Sequence, residues 1–262
     1  MNATLRRLSA YALVAAALSG CASIVPAPTM SAVPDYPLVE SWARVLAAHV
    51  DEQGRVDFAG VARDRTDLDR YVAWVYETGP NNQPQLFPTR AEVLAYHLNA
   101  YNALAMYNVI EAGFPSSLTA FGDRYEFFYR RKLRVGGEEI SLYDYENRVI
   151  RALGEERVHF ALNCMSVSCP RLPRKPFVAA TLEQDLARET RLFFGEARNF
   201  SVDTPNKTVR LSEILKFYAD DFLARASSLA AYAAVQAGRS VPDHYTVTFN
   251  PYDWTINRQP AR

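Results

Sequence analysis

The sequence predicts an α+β fold: a helix-rich single domain around a small, mainly antiparallel sheet with hairpins. Three observations carry this reading. Long helical periodicities, such as the one following Thr89, lie among short alternating runs. Two pairs of those runs flank tight-turn residues, Gly136-Gly137 and Pro205-Asn206-Lys207. No regular strand–helix alternation runs through the chain, which argues against a doubly wound sheet.

The elements follow in order. Trp42, Val45, Leu46 and Val50 recur at helical spacing, so 39–50 reads as a helix; Gly54 to Phe58 reads as a turn and short extended piece. Leu68, Tyr71, Val72 and Val75 share one side of a helix over 67–77. Gly79 to Pro88 is a Pro- and Asn-rich loop, after which Thr89 caps a long helix to Ala112, ended by Gly113 and Pro115. Phe127 to Val135 and Glu138 to Ile140 form the first hairpin. Ser141, with Asp144 three residues on, starts a helix that Gly154 closes. Val158 to Cys164 reads as a buried strand, and Thr181 to Phe194 as a helix. Phe200–Val202 and Thr208–Leu211 make the second hairpin. Ser212 caps a helix to Ala226, Ala230 to Ala237 is a shorter one, and Tyr245 to Phe249 alternates as a strand.

The N-terminus sets the expected compartment. Arg6 and Arg7 precede an apolar run from Leu8 to Leu18 that is too short to cross a bilayer comfortably. The run ends in Leu18-Ser19-Gly20-Cys21, so 1–20 reads as a signal peptide. That ending resembles the bacterial lipobox, which implies acylation of Cys21 (a palmitate-type lipid anchor) and cleavage before it. Ala22 follows in place of the aspartate associated with inner-membrane retention. The resemblance thus points to the periplasmic face of the cell outer membrane, with the membrane as partner through Cys21. Residues 21–37, with Pro26, Pro28, Pro34 and Pro37, read as a tether without secondary structure. Residues 38–262 read as one globular domain, since no second linker or repeat interrupts them. Formal net charge is zero, and no basic field for nucleic acid is present; Arg130-Arg131-Lys132 reads as the solvated side of a strand.

Six blocks, in order, resemble family 547 of the domains of unknown function. They are Tyr96 to Ala103, Val135 to Leu142, Tyr145 to Arg151, His159 to Pro170, Phe217 to Phe222, and Phe249 to Asn257. The likeness spans about 91–257 and implies a fold and a region of interest without an activity. An aromatic residue, usually Trp, is typical of the family where His97 stands, and His where Asn147 stands.

Chemistry concentrates in 159–170, which holds one of four histidines and two of three cysteines. A thiolate nucleophile needs a nearby base, and His159 with Cys164 is the candidate pair. In a straight strand the two lie on opposite faces, about 16 Å apart. Cys164 and Cys169 are also placed to form a disulfide in an oxidising compartment. Glu146 shares a helical stripe with Leu142, Val149 and Leu153, so it points inward. Its expected partner is Arg151 or Arg130; the alternative is an acid/base role beside His159. Asn99 and Asn102, one turn apart, either bind loop backbone or contact a ligand; Asp253 reads as a turn or cap residue, with ligand contact as its alternative. No closely spaced His pair and no Cys-x-x-Cys is present, so neither a metal site nor any cofactor is expected.

Three function classes follow. The first is a cell-envelope lipoprotein with a binding or structural role toward a protein or small-molecule partner. The second is an envelope thiol hydrolase or transferase using Cys164 and His159, loosely similar to papain- and transglutaminase-type enzymes. The third is a redox protein using Cys164 and Cys169.

Overall fold

The computed structural model describes residues 22–28, 38–120 and 126–260. The expected signal peptide 1–20 and the expected acylation site Cys21 lie outside the described residues, as do 29–37 of the expected tether.

The elements are β1 (Ser23–Ile24), α1 (Leu38–His49), α2 (Phe58–Arg63), α3 (Thr66–Glu77), α4 (Arg90–Glu111), β2 (Arg131–Val135), β3 (Glu138–Ser141) and α5 (Leu142–Asp144). After them come α6 (Leu182–Gly195), β4 (Phe200–Asp203), β5 (Thr208–Ser212), α7 (Glu213–Phe217), α8 (Ala219–Leu223), α9 (Leu229–Gln236) and β6 (Thr246–Asn250). The α+β expectation holds. The sheets, however, are mixed: β1 pairs in parallel with β2, which pairs antiparallel with β3, and β4 is antiparallel to β5, which is parallel to β6. Both predicted hairpins form. The first turns on Gly136 and Gly137, at φ 56° and 86°, the pair of positive values a two-residue hairpin turn needs and that glycine supplies without strain.

Strand β1 corrects the reading of its segment as structureless. Ser23 and Ile24 face Arg131 and Lys132, Val25 is buried, and the Pro26 carbonyl accepts a hydrogen bond from Tyr107 at 2.8 Å.

Helix α4 organises the domain. Thr89 and Glu92 form a reciprocal capping box at its start. From Leu94 to Ile110 every residue is buried, as expected for a helix surrounded on all sides. Its asparagines have a common task. Asn99 exchanges two hydrogen bonds with the backbone of Phe177, and Asn108 donates to the Phe127 carbonyl. Asn102 donates to the Ala161 carbonyl at 3.0 Å and accepts from the Asn163 amide at 2.7 Å.

Those contacts explain the main departure from the predicted elements. Residues 158–164 form no strand: Glu156–Phe160 is a 3-10 turn, and the chain bends after it. The segment crosses between two apolar cores. Val158, Ala161 and Leu162 join the larger one around α1, α3 and α4, while Phe160 joins a second formed by α6, α8, α9 and the second sheet. A hydrophobic run was therefore misread as β because it is buried on two sides. Its backbone is satisfied by asparagine side chains instead of a ladder.

Three smaller corrections concern helices. Asp57 caps α2, in a region read as extended. Glu126–Arg130 is a wide helical turn, so the strand begins only at Arg131. The helix expected from Ser212 to Ala226 breaks at Tyr218, giving α7 and α8. Ser141 does cap a helix, but the stretch after α5 widens to π geometry at Tyr145–Ile150, then tightens to a 3-10 turn that Gly154 ends at φ 70°.

Replacing Asn102 with Ala leaves two buried backbone groups without partners. At about 1–3 kcal/mol for each orphaned group, Asn102→Ala is predicted to lower stability by roughly 2–6 kcal/mol, read as a drop in urea midpoint. An unchanged midpoint would show that the clamp carries no weight.

Candidate active site at the seam between two cores

A cavity of about 250 Å³ opens where the two cores meet. Its wall is mostly aromatic, from Tyr101, Phe128, Tyr129, Tyr143, Phe217, Tyr218, Tyr252 and Trp254. Glu146, His159, Cys164 and Cys169 also line it. The bend after Phe160 thus brings His159 and both cysteines to one cavity, which overturns the opposite-face argument made for a straight strand. The two cysteines form a disulfide.

His159 has a fully buried side chain. Its Nε2 lies 2.8 Å from Asp221 Oδ2, and Asp221 is in turn held by Arg151 through two hydrogen bonds of 2.7 and 2.8 Å. The other ring nitrogen, Nδ1, has no hydrogen-bond partner and faces Glu146 Oε1 at 3.7 Å. Glu146 Oε2 accepts from the Tyr101 hydroxyl at 3.1 Å. Tyr218 stacks on the imidazole, 3.9 Å between ring centroids and 19° between planes, and Phe222 meets it edge-on. The break at Tyr218 delivers this ring to the site, where the Arg151 guanidinium also lies 5.3 Å from its centroid. The π-type stretch carries Glu146.

Charges therefore alternate along Arg151, Asp221, His159 and Glu146. Burial opposes an imidazolium at His159, but the bond to Asp221 and the nearby Glu146 outweigh it, so its pKa is raised above 6.5. His159 and Arg151 hold the Asp221 carboxyl well below the usual carboxylate range. Burial and the neighbouring Glu146 push the Tyr101 phenol well up, which keeps it a donor. The bond to Asp221 occupies Nε2 and favours the imidazolium form, which leaves Nδ1 as the ring nitrogen facing Glu146.

Glu146 does not pair with Arg151 or Arg130: Arg151 is engaged with Asp221, and Arg130 lies 3.9 Å from Glu126. Asn99 and Asn102 point at backbone and do not line the cavity. Asp253 is exposed and accepts from the Thr255 amide as a turn residue, so it too is away from the cavity. Trp254 does line it. Sequence reasoning missed Asp221, Tyr101, Tyr218 and Tyr252. Asp221 and Tyr218 sat inside a family-like block, but nothing local paired them with His159. Of the two positions where the sequence departs from the family pattern, Asn147 accepts from Arg151 at 2.6 Å. His97 is buried elsewhere, beside the Tyr145 hydroxyl at 2.8 Å, and burial lowers its pKa to about 4. Among the described residues, no three His, Cys, Asp or Glu side chains are grouped to hold a metal ion.

Residues 86–194 match the family model described as "Protein of unknown function, DUF547". The match takes in Tyr101, Glu146, His159, Cys164 and Cys169, and ends before Tyr218, Asp221, Tyr252 and Trp254. No curated protein and no solved structure matches the chain.

The two buried histidines are predicted to act oppositely on stability. The contribution from neutral His97 is present above its unfolded value near 6.5 and is lost as pH falls toward about 4. The contribution from His159 is present below about 6.5 and is lost as pH rises through its raised pKa. An NMR titration of the imidazoles should find His97 near 4 and His159 above 6.5. Asp221→Asn should drop His159 by leaving burial less opposed. A wild-type His159 titrating at or below 6.5 would contradict the charge arrangement.

Proposed function

We propose that this chain, whose residues 86–194 match the DUF547 family model, is a cell-envelope lipoprotein whose domain binds a small, ring-bearing molecule in the aromatic cavity. The observation carrying the binding reading is the cavity's make-up. Aromatic rings supply apolar walls, and Glu146 and His159 supply a few fixed polar contacts, the usual composition of a small-molecule site. A volume of about 250 Å³ suits a single-ring ligand. The polar groups are held in place before any ligand arrives, by Tyr101, Tyr218 and the Arg151–Asp221 pair, which lowers the ordering cost of binding.

The envelope reading rests on the N-terminal sequence. Acylation of Cys21 would anchor the finished protein to a membrane, and the lipobox-like ending without a following aspartate favours the outer membrane. A Cys164–Cys169 disulfide is compatible with export to an oxidising compartment. Because β1 starts at Ser23, two residues after Cys21, the domain would then sit close against the bilayer and not at the end of a long tether. A thiol hydrolase is less well supported, since the disulfide leaves neither sulfur free to act as a nucleophile.

Two measurements test the reading. Phenol, benzamide and indole are expected to change Trp fluorescence saturably, with Kd values of roughly a millimolar or tighter; Trp254→Phe should remove most of the signal, and Glu146→Gln should weaken benzamide. No saturable binding by any ring compound would sink the pocket claim. Separately, Cys21→Ser should move the protein from the membrane to the soluble fraction, and intact mass should show acyl chains on the wild type alone.

A further inference from the structure

The disulfide is not placed as an inert staple. Both cysteines line the cavity, and hydrogen-bond donors surround them unevenly. The Cys164 amide donates to Cys169 Sγ at 2.9 Å, and the Tyr252 hydroxyl donates to the same sulfur at 3.2 Å. Ser166 Oγ lies 3.1 Å from Tyr252 Oη, to which it donates, and 3.0 Å from Cys164 Sγ. One hydroxyl proton serves one bond. The amide donor at Cys169 Sγ is fixed and the Tyr252 hydroxyl is nearer that sulfur, whereas Cys164 Sγ has beside it only hydroxyls shared with other acceptors, Ser166 Oγ at 3.0 Å and Tyr252 Oη at 3.5 Å. Burial pushes the Tyr252 phenol well up, so it stays protonated and remains a donor. The loop closed by the bridge also holds Met165 at φ 70°, a left-handed conformation costly for a residue other than glycine. Asn163 sustains it, accepting from the Met165 amide at 2.7 Å.

We propose that Cys164–Cys169 is a thiol–disulfide exchange site, in which Cys164 is the sulfur attacked and Cys169 the sulfur that leaves, with a small uncharged dithiol as substrate. Exchange is faster when the departing thiolate is stabilised, and two donors stand ready at Cys169. In the first step, one substrate thiolate forms a bond to Cys164 Sγ. The Cys164–Cys169 bond breaks, and its electron pair leaves on Cys169. In the second step, the other substrate thiolate attacks the substrate sulfur bound to Cys164, and Cys164 leaves with the electron pair. Two electrons pass from dithiol to protein, the substrate departs as a cyclic disulfide, and its two protons end on Cys164 and Cys169. The aromatic wall and the Glu146 carboxylate favour an uncharged dithiol over an acidic thiol.

This goes beyond ligand binding and is tested without it. Oxidised, folded protein is treated with dithiothreitol in the absence of denaturant, and free thiols are counted by alkylation and mass. Reduction in the folded state is expected. In a second arm, 2-mercaptoethanol is quenched in acid and the adduct mapped, with the adduct expected on Cys164 and the free thiol at Cys169. Tyr252→Phe, with its fold verified by circular dichroism, should slow reduction roughly tenfold or more, as losing a hydrogen bond to a charged leaving group implies. A bridge that opens only on denaturation, or an adduct on Cys169, would overturn the proposal. So would a Tyr252→Phe rate equal to wild type. The adduct map needs no variant, and a negative result with the ring probes leaves it readable.

Discussion

Much of this structure depends on how a single segment, residues 158–164, crosses from one apolar core to the other without a strand beside it. Every amide and carbonyl in such a crossing needs a partner, because a buried unpaired backbone group costs about as much as a lost hydrogen bond. Asn102 meets that need at Ala161 and Asn163. Asn163 repeats the device on the following loop, accepting from the Met165 amide and donating to the Pro170 carbonyl. Fixing the crossing fixes the rest: His159 on one side, the disulfide at the other end, and the cavity between them.

The electrostatics follow from the same placement. An imidazole with no exposed side-chain surface must be neutral or matched. Here it is matched twice, by Asp221 in contact and Glu146 at 3.7 Å, and each carboxylate has its own support in Arg151 or Tyr101. Two backbone irregularities serve the arrangement. The π-type stretch carries Glu146, and the break between α7 and α8 delivers the Tyr218 ring. Such departures from regular helix are frequent at functional sites, where local preference yields to a required geometry.

The sequence made the regular parts legible. The periodicity of α1, α3, α4 and α6, the Thr89 and Ser141 caps and both hairpin turns are local signals, and each was found within a residue or two of its place. What failed was nonlocal. Val158 to Cys164 carries the composition of a buried strand, and only the two cores packing on it reveal a turn. The Ser23–Ile24 strand has no periodicity to read, since two residues suffice once Val25 finds a buried site. Within the site, Glu146, His159 and the cysteine pair stood out by scarcity or stripe. Asp221 did not, because an aspartate in a helix is ordinary until an imidazole from 62 positions earlier reaches it. Asn99 and Asn102 were noticed for the right reason, as polar residues inside a buried helix, and their partners are backbone.

The family match also understates the working unit. It ends at residue 194, yet Tyr218, Asp221, Tyr252 and Trp254 all come from beyond it. These later residues are not an appendage. After β6 the chain returns to the first core: Ser117 pairs with Thr255, Ser166 with Ile256, and Val56 with Arg258. Asn257 donates to the Gly54 carbonyl, 203 positions earlier. The return clasps the disulfide loop directly, since the Val167 amide donates to the Thr255 carbonyl and Ser168 Oγ accepts from the Asp253 amide. A site whose charged centre comes from residues 146 and 159, and whose counter-charge and aromatic cover come from 218 to 254, cannot be assembled by the matched segment alone. The second core therefore helps to build the site: Phe160, next to His159, stacks in it on Phe222, next to Asp221, so the same packing that joins the two segments sets the imidazole against its carboxylate.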